Sequence, residues 1–259
     1  MTGAFAMIAA LGAACVLMVG AWLVSLRLRD VSIVDPFWPT AAVVIAITVY
    51  FLSPHAGARA LLALTLTGLW ALRLGCHLMR RFLSEPQEDP RYARMRAAVG
   101  PSFAWRSLFV VFGLQAVAIW VVTLPVQAAI LAENQHMGAP AMIGCALFLA
   151  GFVLEAEADR QLAEFKASHP GPDALMTSGL WAWSRHPNYL GEVIIWWGLA
   201  LVALGTGAWW SPIGPIVLTL LILRVSGVPM MERQLDGRPG IEAYRRRTSR
   251  FWPRPPREH

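Results

Sequence analysis

Residues 4–26 read AFAMIAALGAACVLMVGAWLVSL, 23 consecutive positions without one charged side chain. A helix rises 1.5 Å per residue, so this run is long enough to cross the roughly 30 Å hydrocarbon core of a bilayer. Working outward, similar apolar stretches occupy 37–52, 58–80, 105–132, 139–157, 188–204 and 210–223. They predict an all-α polytopic membrane protein of about seven transmembrane helices around a cytoplasm-facing cavity. The second and last stretches are short, which leaves six as the other count. With 56% apolar residues, 15% charged residues and a mean hydropathy of +0.50, the chain falls outside the composition of a soluble domain. No fixed-period repeat, low-complexity segment or long polar insertion interrupts it, so a single domain over 1–259 is expected.

Charge sets the orientation. Of 22 basic residues one is Lys166 and the rest are Arg. Arg27 and Arg29 follow the first span; Arg80, Arg81, Arg91, Arg94, Arg96 and Arg106 lie between the third and fourth. Arg160, Lys166 and Arg185 lie between the fifth and sixth, and the tail from 224 to 257 carries nine more. The opposite connections hold Arg59. The positive-inside rule then places the N-terminus outside and the C-terminus in the cytoplasm. A pI near 9.9 suggests nucleic acid, but these cations flank apolar spans instead of covering a soluble face, so no nucleic-acid partner is expected. The cluster between the third and fourth spans and the tail exceed what orientation needs, and membrane lipid or an anionic cofactor is a candidate ligand there; Arg81 is among these candidates. Cys15, Cys76 and Cys145 sit inside apolar runs and the six histidines do not group at ligand spacing, so no metal is expected.

Polar groups concentrate in residues 184–192, Ser-Arg-His-Pro-Asn-Tyr-Leu-Gly-Glu. Pro187 is tolerated in a first helical turn, with Ser184 or His186 as the cap. The free N–H groups of that turn favour an anion, with Arg185 and His186 beside them. Asn188 and Glu192, four apart, share a face one turn inside the apolar span, where a carboxylate is costly unless it meets protein or a wet cavity. The structural alternative makes Arg185 and His186 interfacial anchors and Glu192 a helix-pairing group. In 155–166, Glu155, Asp159, Leu162 and Lys166 follow one helical face, which suits either bonds to ribose and amide groups or a solvated helix end. In the third span Trp70, Arg73, His77 and Arg80 form one stripe descending to the interface. Asp35 stands at the start of a helix that Pro36 can initiate. No G-x-G-x-x-G after a strand, P-loop or H-E-x-x-H is present, so a nucleotide would have to be held by side chains of the spanning helices.

The run TSGLWAWSRHPNYLGE at 177–192 resembles the signature of the steroid 5-alpha-reductase family, in particular its bacterial members with the 3-oxo-5-alpha-steroid 4-dehydrogenase C-terminal domain. The resemblance is densest over 151–253, and the segments Asp35-Pro36-Phe37-Trp38 and Glu88-Asp89-Pro90-Arg91-Tyr92 share it. It implies a seven-span fold in the bacterial inner membrane that binds NADPH and passes hydride to the carbon–carbon double bond of a 3-oxo-Δ4 steroid or similar enone lipid. By position it implies cofactor contacts at Asp159, Lys166, Asn188 and Glu192, with Arg73 and the tail residues Glu232 and Tyr244. Arg81, Arg185, His186 and Tyr189 complete the expected cofactor set. Asp35 falls where a family glutamate lies near the substrate ketone, and Trp70 where a family tyrosine helps polarise it. An indole N–H donates a hydrogen bond but delivers no proton. Glu155 and Lys166 also depart from the residues of mammalian members.

An Arg-His-Pro-x-Tyr element also occurs in isoprenylcysteine carboxyl methyltransferases, which use S-adenosylmethionine, and the present segment is similar to it. The acidic residue after Leu190-Gly191, Asn188 and the Asp35 segment point to the reductase.

Overall fold

A computed structural model of the chain describes residues 2–85, 87–168, 171 and 173–256; Arg257, counted above among the tail cations, lies outside them. All regular elements among the described residues are helical. Among the described residues six helices are long and apolar enough to span a membrane: Gly3–Leu28, Val31–Leu52, Ala58–Ser84, Pro90–Val122, Ala139–Ser168 and Ile213–Gln234. The remaining apolar stretch forms a helix of 17 residues, Pro187–Ala203, at the lower limit for a span. The chain is a multi-pass membrane protein, and it divides into two compact units, Met1–Ala141 with Val202–Gly214 and Met142–Leu201 with Pro215–His259.

In the first unit, α1 (Gly3–Leu28) buries Ala6, Ala10, Ala14, Met18, Ala21 and Ser25, a stripe at three- and four-residue spacing. Small residues on that stripe, and Ala41, Ala42 and Ala46 on α2 (Val34–Leu52), let the two backbones approach, as membrane helices without a hydrophobic drive between them require. The opposite face of α1 exposes Ile8 and Val16, as lipid solvation demands. Helix α3 (Ala58–Ser84) packs on the other flank of α2. A short helix α4 (Pro90–Val99) follows, capped by Asp89, whose carboxylate accepts the Arg91 N–H at 2.8 Å while Pro90 fills the first turn.

The stretch expected as one helix over 105–132 is built in pieces. Helix α5 (Phe103–Ser107) runs through a π-helical segment, Leu108–Gly113, into α6 (Leu114–Val122), and α7 (Leu124–Leu131) restarts after Thr123. Pro125 cannot donate to the Val121 carbonyl, which accounts for the break. The buried Gln127 amide closes part of the gap, donating to the Trp120 carbonyl at 2.8 Å and to Thr123 Oγ1 at 3.0 Å. Arg59, assigned by sequence to the opposite side of the membrane, is buried and donates to the carbonyls of Val202 at 2.5 Å, Leu204 at 3.4 Å and His136.

In the second unit, α8 (Ala139–Ser168) outruns the expected span by one polar segment, and α9 (Pro187–Ala203) begins at the predicted proline. These helices meet backbone to backbone. A Cβ on Gly151 or Gly191 would lie 2.7 Å from the other's carbonyl oxygen, and one on Gly198 would lie 2.7 Å from the Gly144 oxygen. Helices α10 (Ile213–Leu220), α11 (Val228–Gln234) and α12 (Ile241–Arg247) complete the chain. Gly179 holds φ +59, a left-handed turn that brings the next N–H, that of Leu180, to 2.9 Å from Gln161 Oε1; a Cβ would collide with the same glutamine.

Candidate functional site

Polar side chains converge at one place in each unit. In the second, the backbone contact at Gly151 and Gly191 sets the register of α8 on α9, and one consequence is a hydrogen bond from Asn188 Nδ2 to Asp159 Oδ1 at 3.0 Å. Glu192, one turn deeper and buried, accepts the Trp196 indole N–H at 2.9 Å. On α8 the predicted face is graded: Glu155 and Asp159 are buried and Lys166 is exposed.

At the entrance to α9, Ser184 Oγ accepts the His186 N–H at 3.1 Å and donates to the Phe251 carbonyl at 2.7 Å. Arg185 is buried and forms a fork on Glu232, Nε to Oε1 at 2.8 Å and Nη2 to Oε2 at 3.1 Å. Its Nη1 donates to the Thr248 and Arg245 carbonyls. The same Glu232 meets His186 Nε2 at 3.0 Å and Arg245 Nε at 3.3 Å. Burial holds the His186 imidazole below its ordinary value against the pull of Glu232, with Arg185 and Arg250 adding to burial, so it is neutral at pH 7. Its ring stacks on Tyr189 with centroids 5.8 Å apart. Tyr244 donates to the Trp181 carbonyl at 2.6 Å, and Trp181 Nε1 donates to the Ala158 carbonyl at 3.0 Å. Burial pushes that tyrosine's pKa up.

In the first unit, Asp35 sits in the first turn of α2. Its Oδ2 accepts Arg91 Nη2 at 2.7 Å and its Oδ1 accepts the Tyr92 hydroxyl at 3.0 Å. Gln115 Nε2 donates to that hydroxyl oxygen at 3.4 Å. Asp89 bonds Arg91 Nε at 2.9 Å and Arg81 Nη2 at 3.4 Å, and its N–H donates to Ser32 Oγ at 2.8 Å. Glu88 holds Arg96 by a two-pronged ion pair, at 2.7 and 2.9 Å, and accepts the Val31 N–H at 2.9 Å. Burial alone would raise Glu88 and Asp89, but the hydrogen bonds of Arg96 and Val31 to the former, and of Arg91 to the latter, hold both below the usual carboxylate range. A small cleft beside them is lined by Ser32, Asp35, Leu78, Arg81, Phe82 and Asp89, among others.

Of the residues expected to act together, the structure joins Asp159 to Asn188, and Arg185 and His186 to Glu232. Tyr189 lies against His186 and Tyr244 near Trp181. Arg81 lines the Asp35 cleft. Trp70 is fully buried in α3, Arg73 and His77 are half-buried and Arg80 is exposed, a gradient that follows the predicted stripe. Tyr92, which enters the sequence reading through the resemblance, and Arg91, read there as an orienting cation, are partners of Asp35. The signal for them was Asp89-Pro90, a helix start that delivers the next two side chains to one place.

The chain matches, over residues 21–248, the model of a family described as "Protein of unknown function (DUF1295)". That match covers most of its length, and the chain belongs to this family, a steroid 5-alpha-reductase-like membrane family. It is 29% identical over 202 residues to an uncharacterized protein of Schizosaccharomyces pombe, covering 68% of this chain and 58% of that relative. The chain thus spans little more than half the relative's length. No solved structure matches it.

Proposed function

From that membership we propose that this chain is a membrane reductase that uses NADPH to saturate the carbon–carbon double bond of a 3-oxo-Δ4 steroid or a similar enone lipid. The observation that carries the reading is the Tyr92–Asp35–Arg91 cluster beside a small cleft. Reduction at the β carbon drives negative charge onto the carbonyl oxygen, and the barrier falls when a fixed donor already points at that oxygen. Tyr92 supplies an O–H, which the indole of Trp70 lacks; that O–H donates to Asp35 here and would turn from it onto the substrate oxygen. Asp35 positions the phenol, and Arg91 keeps the Asp35 carboxylate compensated. Protonation of the α carbon then completes the saturated product.

Donor chemistry decides whether the second unit suits a phosphorylated dinucleotide. Arg185 has its donors committed to Glu232 and to carbonyls, so it holds the protein and not a phosphate. Arg246, Arg247 and Arg250 are exposed and have no carboxylate partner among the described residues. They fit the several phosphates of NADPH, whereas S-adenosylmethionine carries a single carboxylate and would leave most of them without an anion. Asp159 and Asn188 offer an acceptor and an amide to ribose or carboxamide groups, with Glu192, His186, Tyr189, Lys166 and Tyr244 on the same unit. When bound, NADPH supplies the hydride; the chain's residues orient it and exclude water. The loop charges orient the chain with its C-terminus in the cytoplasm, where NADPH is available.

The test is saturable binding of NADPH against S-adenosylmethionine to purified chain, followed by NADPH oxidation with a panel of 3-oxo-Δ4 steroids. The reading expects NADPH binding weakened by Arg246→Gln with Arg247→Gln, and turnover with at least one steroid. Binding of S-adenosylmethionine without NADPH would replace it with the methyltransferase reading.

A further inference from the structure

Arginines that follow the first span or lie between the third and fourth fall into two populations. Arg81, Arg91 and Arg96 each pair with at least one of Glu85, Asp35, Asp89 and Glu88. Arg27, Arg29, Arg94 and Arg106 are exposed and have no ion pair among the described residues. Arg29 and Arg106 lie on the segments where the end of α1 approaches α4 and α5. Trp22 Nε1 donates to the Ala104 carbonyl at 2.9 Å, and Arg96 Nη2 donates to the Arg29 carbonyl at 3.4 Å. The Arg106 guanidinium lies 5.6 Å from the Trp105 ring centroid, and Trp105 packs edge-on to Phe109 at 6.3 Å. Trp105 is 56% exposed and Phe109 64%, as are Leu23 and Leu28 on α1 at 52% and 51%.

Uncompensated cations beside exposed aromatic and aliphatic side chains at the ends of spanning helices match the layered chemistry of a membrane interface. The apolar groups match acyl chains, the indole matches the headgroup boundary, and the guanidiniums match phosphate. A soluble acidic partner would complement the charges and leave the aromatic and leucine side chains facing nothing. We propose that this face of the first unit binds the headgroup of an anionic phospholipid, with Arg29 and Arg106 on its phosphate and Trp105 holding Arg106 in place through its ring. The site is independent of the reductase reading, because none of its residues serves the Asp35 cluster or the second unit.

Full-length chain purified from mixed phosphatidylcholine and phosphatidylglycerol membranes, then weighed intact with its retained lipids, tests the proposal. Phosphatidylglycerol is expected to be retained over phosphatidylcholine. That preference should fall about fivefold for each arginine removed in Arg29→Gln and Arg106→Gln. The double lysine variant, Arg29→Lys with Arg106→Lys, keeps the charge and should keep the preference, which separates lipid loss from misfolding. An unchanged preference in the double glutamine variant overturns the proposal. So does an equal loss of both lipids, or displacement of the retained lipid by millimolar inorganic phosphate, which would mark a site for free anions.

Discussion

Two ionic clusters organise this protein, and they use their hydrogen-bonding capacity in opposite ways. In the second unit one carboxylate, Glu232, serves Arg185, Arg245 and His186, and the remaining Arg185 donors end on backbone carbonyls. The Arg185 and Glu232 side chains are only 8% and 13% exposed. In the first unit the carboxylates Asp35, Asp89 and Glu88 face Arg81, Arg91, Arg96 and a phenol beside a small cleft, and the Arg91 and Asp35 side chains are 25% and 24% exposed. A cluster whose donors are spent inside the protein is a staple; one that keeps a quarter-exposed carboxylate at a cleft has capacity left for a ligand. Burial and saturation distinguish them better than residue type does.

The largest effect should come from breaking the staple. Removing one partner of a buried pair strands the other charge, at a cost of about 3–5 kcal/mol, so Glu232→Ala should lower the thermal midpoint of the purified chain sharply or prevent its recovery. Asp35→Asn, in the more open cluster, should leave that midpoint nearly unchanged. Equal losses in the two variants would erase the distinction. Next in size, Tyr92→Phe should reduce kcat for enone reduction about 100-fold, within the range for a lost oxyanion donor, with KM nearly constant. A fall confined to KM would assign Tyr92 to binding instead. Gly191→Ala should then cost about 1–3 kcal/mol through overpacking, since its new methyl would meet the Glu155 N–H and the Gly151 carbonyl.

The smallest effect, and the finest discriminator, is pH. His186 has a folded pKa below its ordinary 6.5. The unfolded chain therefore takes up its proton first, and the stability held by neutral His186 is full above 6.5 and lost as pH falls below it. Glu88 and Asp89 are also depressed, from 4.5 and 3.8, so their contribution persists to lower pH and is lost only below those values. Unfolding monitored between pH 7.5 and 4.5 should weaken the second unit's cluster before the first, and His186→Gln should flatten the upper part of that decline.

The spans were legible because an uncharged run of twenty residues has few alternatives to lipid, and the start of α9 was legible because Pro187 fits one helical position well. The break at Thr123 was hidden by the unbroken hydrophobicity of 105–132, although Pro125 marked it. Helix α4 and the chemistry of Arg91 and Tyr92 were missed because a basic connection between spans reads first as an orientation signal. The commitment of Arg185 could not be read at all, since its partner Glu232 lies 47 residues away and only folding brings a carboxylate to it. The resemblance assigns Asp159 and Asn188 each to a cofactor but not to one another; their 29-residue separation carries no helical periodicity.

The glycine contacts between α8 and α9 bear on the membrane itself. Seventeen residues of α9 reach about 25 Å, short of a roughly 30 Å hydrocarbon core, while α8 is 30 residues long. A short helix in loose contact could shift along its neighbour to share the deficit, but main chains in contact at Gly151–Gly191 and Gly144–Gly198 fix the depth of one against the other. Of the α9 residues Trp197 alone is exposed and the rest are shielded by protein, so the deficit falls on the protein around α9, which must satisfy the backbone groups beyond its end where lipid cannot.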